Sequence, residues 1–217
     1  RSFHVTGVQT CALPIFKGRG IDHVLEDSSG NAGASLAAYS AAAGMKARIL
    51  VPETASYPKI AQMAATGADV VTIKGSRQDV ADAALRYSTQ IFYASHNWQP
   101  FFLEGTKTHA YELWEQMGFA IPDNIVFPVG YGSNMCGCAR GFAELKRRGE
   151  TDRMPRLFGI QAENCAPYAK SYAAGVETLV PTDGSTTIAE GIASSKPTRV
   201  REVLKAARDS GGSITAV

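Results

Sequence analysis

The sequence is poor in charge of either sign and has few cysteines. Charged residues make up 19% of 217, and the formal net charge is +2. The longest basic run is Lys146-Arg147-Arg148. That is too little for the electrostatic footprint of a nucleic-acid or anionic-membrane binder, so neither partner is expected. No apolar run reaches the length of a membrane span. The four cysteines, Cys11, Cys136, Cys138 and Cys165, include no Cys-x-x-Cys spacing and have no nearby histidine pair. A zinc site is therefore not expected, and a reduced, cytoplasmic protein is the simplest reading. The chain also lacks Gly-x-Gly-x-x-Gly followed by an acid on the next strand, and it lacks Gly-Lys-Ser/Thr. Both gaps count against a nucleotide-binding module.

Apolar residues make up 45%, enough for a buried sheet covered by helices. From residue 21 onward short apolar runs alternate with longer amphipathic ones. Strands are expected at His23–Glu26, Ala47–Val51, Asp69–Ile73, Ile91–Tyr93, Ile125–Val129 and Leu157–Ile160. Helices are expected at Asn31–Ala43, Tyr57–Thr66, Asp79–Thr89, Gly105–Met117, Ser133–Arg148, Ala166–Ala174 and Thr198–Asp209. Such alternation predicts an α/β fold with parallel sheets. The stretch 175–197 reads as loop. Residues 5–15 resemble the conceptual translation of a sequencing adapter, so residues 1 to about 16 are expected to stand apart from the fold. A short natural strand and turn is the alternative there.

Two loops at strand-to-helix junctions carry chemistry. In the first, Ser28-Ser29-Gly30-Asn31-Ala32-Gly33, the glycines allow close backbone approach and free N–H groups at the helix start attract anions. A simply capped helix is the competing explanation. In the second, Gly130-Tyr131-Gly132-Ser133-Asn134, several N–H groups converge where a phosphate would sit, with the Ser133 hydroxyl as a further donor.

The run Glu26-Asp27-Ser28-Ser29-Gly30-Asn31-Ala32-Gly33 resembles the Ser-Ser-Gly-Asn signature of fold type II pyridoxal-phosphate (PLP) enzymes, threonine synthases in particular. Phe102-Leu103-Glu104-Gly105-Thr106-Lys107-Thr108 resembles their Leu-Glu-Gly-x-Lys-Thr run. Pro128-Val129-Gly130-Tyr131-Gly132-Ser133-Asn134 is similar to their phosphate loop, and Gln161–Pro167 is also similar to a segment of that group. The resemblance implies a three-layer, tryptophan synthase β-like fold, truncated at both ends. It implies a small mobile lobe over residues 17–104 and a larger, incomplete cofactor domain over 105–217.

The resemblance also implies roles. Asn31 would meet the cofactor's 3-hydroxyl, and Gly130, Tyr131, Gly132, Ser133 and Asn134 would hold its phosphate. Ser28, Ser29, Gly30, Ser95 and Asn97 would contact an amino-acid substrate. The two loops are expected to face one crevice. The reaction implied for the complete enzyme, a homodimer, converts O-phosphohomoserine to threonine and phosphate. Serine/threonine dehydration or a cysteate-synthase-like β-replacement is the alternative, and a non-catalytic ligand-binding module is a more remote one.

Two departures from the family pattern stand out. The Schiff-base lysine of the family precedes the first loop by a helix, whereas Lys17 is followed almost at once by the strand at His23. Lys17 is thus a poor match, Lys107 reads as structural, and the catalytic lysine is unassigned. The segment Ser95–Phe102 also lacks the arginine that many threonine synthases place before Leu-Glu-Gly. His96 in that segment is either a substrate contact or a plain loop residue.

Overall fold

The computed structural model describes residues 13–75, 77–182 and 187–217. Two compact units divide between Gly105 and Thr106.

Among the described residues the first unit runs from helix α1 (residues 13–18) through β1 (His23–Glu26), α2 (Asn31–Ala42), β2 (Lys46–Pro52) and α3 (Tyr57–Ala64). It ends with β3 (Asp69–Ile73), α4 (Arg77–Tyr87), β4 (Phe92–Tyr93) and α5 (Pro100–Thr106), which runs to the division. The sheet is wholly parallel, in the order β3-β2-β1-β4. Successive strand side chains alternate faces, and the core splits accordingly. Val24, Ile49 and Val51 join Leu36, Ala37 and Met63 on one face, while Leu25 and Leu50 join Val80, Ala83 and Ala84 on the other. The central strands β1 and β2 place apolar residues on both sides because α2 and α3 cover one face and α4 the other.

Residues 13–16 do not stand apart from the fold. They are helical, and Leu13 and Phe16 are 2% and 3% exposed within the first core cluster. Both are large apolar side chains that bury well whatever their origin. The remainder of the adapter-like tract, including Cys11, lies outside the described residues.

The second unit contains α6 (Thr108–Gln116), β5 (Asn124–Pro128), α7 (Ser133–Arg147), β6 (Arg156–Gln161), α8 (Pro167–Ala173), α9 (Val200–Asp209) and β7 (Ser213–Ala216). Its sheet is parallel in the order β5-β6-β7. Short 3₁₀ turns sit at Glu163–Cys165 and Glu190–Ile192. The single helix expected from Gly105 is instead two, broken at Lys107, the first beginning at Pro100. Proline at a first helical position is favoured because its missing N–H has no partner there to lose. A Cβ on Gly137 or Gly141 of α7 would come within 2.3 Å of Thr106 Oγ1 or 2.5 Å of the Lys107 carbonyl. Small residues there let α7 lie close against the start of α6. No described helix is long and apolar enough to cross a membrane, and no metal-ligand cluster occurs among the described residues.

Candidate active site

In the first unit β1 lies between β2 and β4. The chain leaves β1 toward β2 on one side and later returns to β4 on the other. In an open parallel sheet such a reversal of strand order opens a crevice at the carboxyl ends of the two strands, where ligands bind. Those ends lead into Ser28–Asn31 and Ser95–Asn97, both predicted from sequence.

The first loop turns abruptly into α2. Gly30 precedes the helix in extended backbone, with no side-chain cap and no acid in the first turn. Its N–H donates to Ser28 Oγ at 3.3 Å. Ser28, Ser29 and Gly30 are half-buried and Asn31 is exposed. A Cβ on Gly33 would fall 2.0 Å from the Ser28 carbonyl. Only glycine therefore lets the loop fold down on its own helix.

The Ser95–Asn97 loop is tied to the end of β1 by charge. Glu26 and Asp27 are 0% and 2% exposed. Glu26 Oε2 accepts from the His96 N–H at 3.2 Å, and Oε1 lies 3.1 Å from His96 Nδ1. Burial pulls the His96 pKa down, but the charge of Glu26 and its hydrogen bond push it up by more, so the net shift is upward. Asp27 accepts from Arg77 Nη2 at 2.5 Å and from the Tyr93 hydroxyl at 2.6 Å. Burial, then the charge of Asp27 and its hydrogen bond, hold the Tyr93 phenol far above its ordinary range. Tyr93 therefore stays a donor. Ser95 and Asn97 are both buried, and the Asn97 N–H donates to Ser95 Oγ at 3.3 Å. The Phe102 ring packs on the His96 ring with centroids 5.4 Å apart.

Arg77 and Tyr93 fall in no motif, and Glu26 and Asp27 open the Ser-Ser-Gly-Asn run with no role assigned to them. Two acids at a strand end are an ordinary pattern in sequence; only the fold shows that both are buried and partnered.

In the second unit, Gly130–Asn134 joins β5 to α7. Gly132 stands at the helix start in the left-handed region, φ +82°, and a Cβ there would meet Val203 Cγ2 at 2.2 Å. Conformation and space both require glycine. The loop is braced from beneath. Gln161 Nε2 donates to the Val129 carbonyl at 3.0 Å, the Tyr168 hydroxyl to that of Tyr131 at 3.0 Å, and Thr106 Oγ1 to that of Ser133 at 3.2 Å. Gly130 packs against Gly191 and Ile192. Gly130 and Gly132 are buried, Tyr131 and Ser133 half-buried, and Asn134 exposed. α7 starts with no side-chain cap and no acid in its first turn. That leaves converging N–H groups and the positive end of the helix dipole for an anion.

Lys17 and Lys107, the two lysines weighed from sequence, each have a partner. Lys17 donates its amine to the carbonyl of Ala43, beyond the far end of α2. Lys107 Nζ lies 3.0 Å from Glu144 Oε2. The Cys136 and Cys138 thiols are buried and pushed up to about 12, mainly by burial. They are inert packing groups rather than nucleophiles.

The sequence matches the family model described as "Pyridoxal-phosphate dependent enzyme" over residues 1–217. It is 36% identical over 200 residues to the threonine synthase of Methanosarcina acetivorans, covering 91% of this chain and 49% of that protein. It is 31% identical over 205 residues to the threonine synthase of Synechocystis, covering 94% and 51%. The chain thus spans about half the length of the curated relatives it matches. Among solved structures, a threonine deaminase of Solanum lycopersicum superposes with TM-score 0.80 at 21% identity, over 99% of this chain and 56% of that one. An L-serine ammonia-lyase of Rhizomucor miehei superposes with TM-score 0.82 at 19% identity, over 99% and 66%. These two likenesses establish the fold, the parallel α/β architecture of fold type II. With the family model covering its full length, the chain belongs to the pyridoxal-phosphate dependent enzymes.

Proposed function

We propose that this chain is the loop-bearing part of a threonine-synthase-like lyase, which in its complete form converts O-phosphohomoserine to threonine and phosphate. The observation that carries the reading is the likeness to threonine synthases over 91% of the chain. It falls on two uncapped, acid-free helix starts at strand ends, which suit an anionic cofactor and substrate.

The residues present fit pyridoxal phosphate. Ser133 and Asn134, with the first-turn N–H groups behind Gly130, Tyr131 and Gly132, would hold its phosphate, and the Asn31 amide would orient its ring hydroxyl. When bound, the cofactor supplies an electron sink for charge developing at the substrate α-carbon. The chain's own residues bind and orient. Ser28, Ser29 and Gly30 offer hydroxyl and N–H donors to a substrate carboxylate. Ser95 and Asn97, held by Glu26 through His96, add a second wall. On this reading neither Lys17, held on the Ala43 carbonyl, nor Lys107, held on Glu144, carries the cofactor, and the chain would bind it without a covalent anchor and be inactive alone. The first unit serves as the mobile lobe, the second as the cofactor domain, and the complete enzyme as a reduced, cytoplasmic homodimer that takes no nucleic acid.

One observation favours the runner-up, a dehydratase or β-replacing enzyme. The segment Ser95–Phe102, where many threonine synthases place an arginine before Leu-Glu-Gly, has none, and there the Phe102 ring lies against His96. The test has two parts. Pyridoxal phosphate should bind the chain and be displaced by inorganic phosphate. The complete protein should release phosphate from O-phosphohomoserine faster than it releases ammonia from serine or threonine; the reverse preference selects the runner-up.

A further inference from the structure

Glu26 is fully buried, and two of the three N–H groups around its carboxylate come from a different loop. The third is the N–H of Asp27, 3.1 Å from Oε1. Removing a carboxylate from water costs several kcal/mol, and an apolar side chain would fill the same space at no such cost. What the carboxylate adds is direction. It takes the backbone N–H of His96 on one oxygen and faces the ring on the other, which fixes both the path of the chain and the plane of the imidazole. The next residues follow from that. Trp98 N and Gln99 N both donate to the Ser95 carbonyl, at 3.1 and 3.0 Å, and the Asn97 N–H donates to Ser95 Oγ. The turn is therefore tight from the point where Glu26 grips it.

We propose that Glu26 is a positioning residue, which through His96 holds Ser95 and Asn97 in register with the Ser28–Asn31 loop. The inference rests on the proposed function, in that it takes Ser95 and Asn97 as substrate contacts.

The grip depends on pH. The charged groups facing His96 are Glu26 and Asp27, which raise its pKa, and Arg77, which lowers it; Phe102 supplies an apolar face. Because the folded pKa lies above the ordinary value of 6.5, the pair's contribution is fully present below that value. It is lost as pH rises through the raised folded pKa.

The test uses the 217-residue chain with labelled histidines. In the unaltered chain the His96 ring should titrate above the ordinary histidine range. The amide exchange of His96 and Asn97, corrected for intrinsic rate, should quicken as pH passes that midpoint. Glu26→Gln keeps an acceptor but removes the charge. It should lower the His96 midpoint by at least about one pH unit and speed exchange at His96 and Asn97 by about tenfold or more. Exchange at Ile49 and Leu50 should stay unchanged. If Glu26→Gln does not fold, His96→Gln, which keeps the backbone bond and loses the ring, must speed exchange at Asn97. An unmoved His96 midpoint, or unmoved exchange at residues 96 and 97, overturns the proposal. None of these readouts involves the cofactor. Failure of pyridoxal phosphate to bind therefore counts against the proposed function and not against this assignment.

Discussion

Lys17 and Asn31 mark opposite ends of one helix. The Lys17 amine sits on the Ala43 carbonyl, just past the last turn of α2, whereas Asn31 is the first residue of that helix. Twelve residues at the α-helical rise separate them by about 18 Å. Reduction with borohydride in the presence of pyridoxal phosphate should therefore leave no stoichiometric label on Lys17. Lys17→Met should bind the cofactor as the unaltered chain does. Mass spectrometry of peptides settles it, and a fully labelled Lys17 would return the Phe16-Lys17-Gly18-Arg19-Gly20 run to a catalytic role.

Gly132 carries two separable demands, its left-handed backbone and its contact with Val203. Gly132→Ala should destabilise the chain by about 1–2 kcal/mol for the backbone, with a further steric cost. Adding Val203→Ala should recover the steric part only. A double-mutant cycle by chemical unfolding measures the split. Complete recovery would mean that the dihedral carries no cost there.

Lys107 belongs to a network around Glu144. Hydrogen bonds from Lys107 and Tyr111 draw the Glu144 carboxyl down to about 2. A depressed carboxyl contributes stability above its unfolded pKa, near 4.5, and loses it as pH falls toward 2. Lys107→Met should move the Glu144 titration back toward the ordinary range, seen by carbon NMR of the carboxyl. The effect on stability should be small, because the site is solvated. Cofactor affinity should be unchanged. A loss of binding beyond about tenfold would place Lys107 in the cofactor site.

Gly33 holds the Ser28–Asn31 loop against its own helix, 2.0 Å from where a Cβ would strike the Ser28 carbonyl. Gly33→Ala should cost about 1–3 kcal/mol and displace the loop. The check is denaturant unfolding together with amide shifts at residues 28–31. A silent substitution would show that the loop adjusts freely.

Strands β1 to β6 were the most legible part of the fold because each is built on a short, largely apolar run in the sequence. His23–Glu26 and Asp69–Ile73 fall where the pattern put them, and the others differ by a residue or so at their ends. The helix starting at Pro100 was hidden because Phe101, Phe102 and Leu103 form an apolar run without helical spacing. β7 was hidden because Ser213–Ala216 is short and half polar, and its strand character comes from pairing with β6. The two glycine loops were legible as loops, since glycine beside a strand end has few other uses. The acidic pair was not, since nothing local shows that Glu26 and Asp27 are buried. Their partners lie far along the chain, at Arg77, Tyr93 and His96.

The order β3-β2-β1-β4 also bears on synthesis. β1 emerges first, yet one of its flanks stays bare until Phe92 and Tyr93 arrive to pair with Val24 and Leu25. Closing so long a loop is entropically slow. Until then β1, with Val24 and Leu25 at its centre, offers an open ladder of backbone groups to any neighbouring nascent chain. The interval between translation of Glu26 and of Tyr93 is thus the window in which a chaperone has most to protect, and ribosomal pausing there would raise misassembly more than pausing anywhere later in the unit.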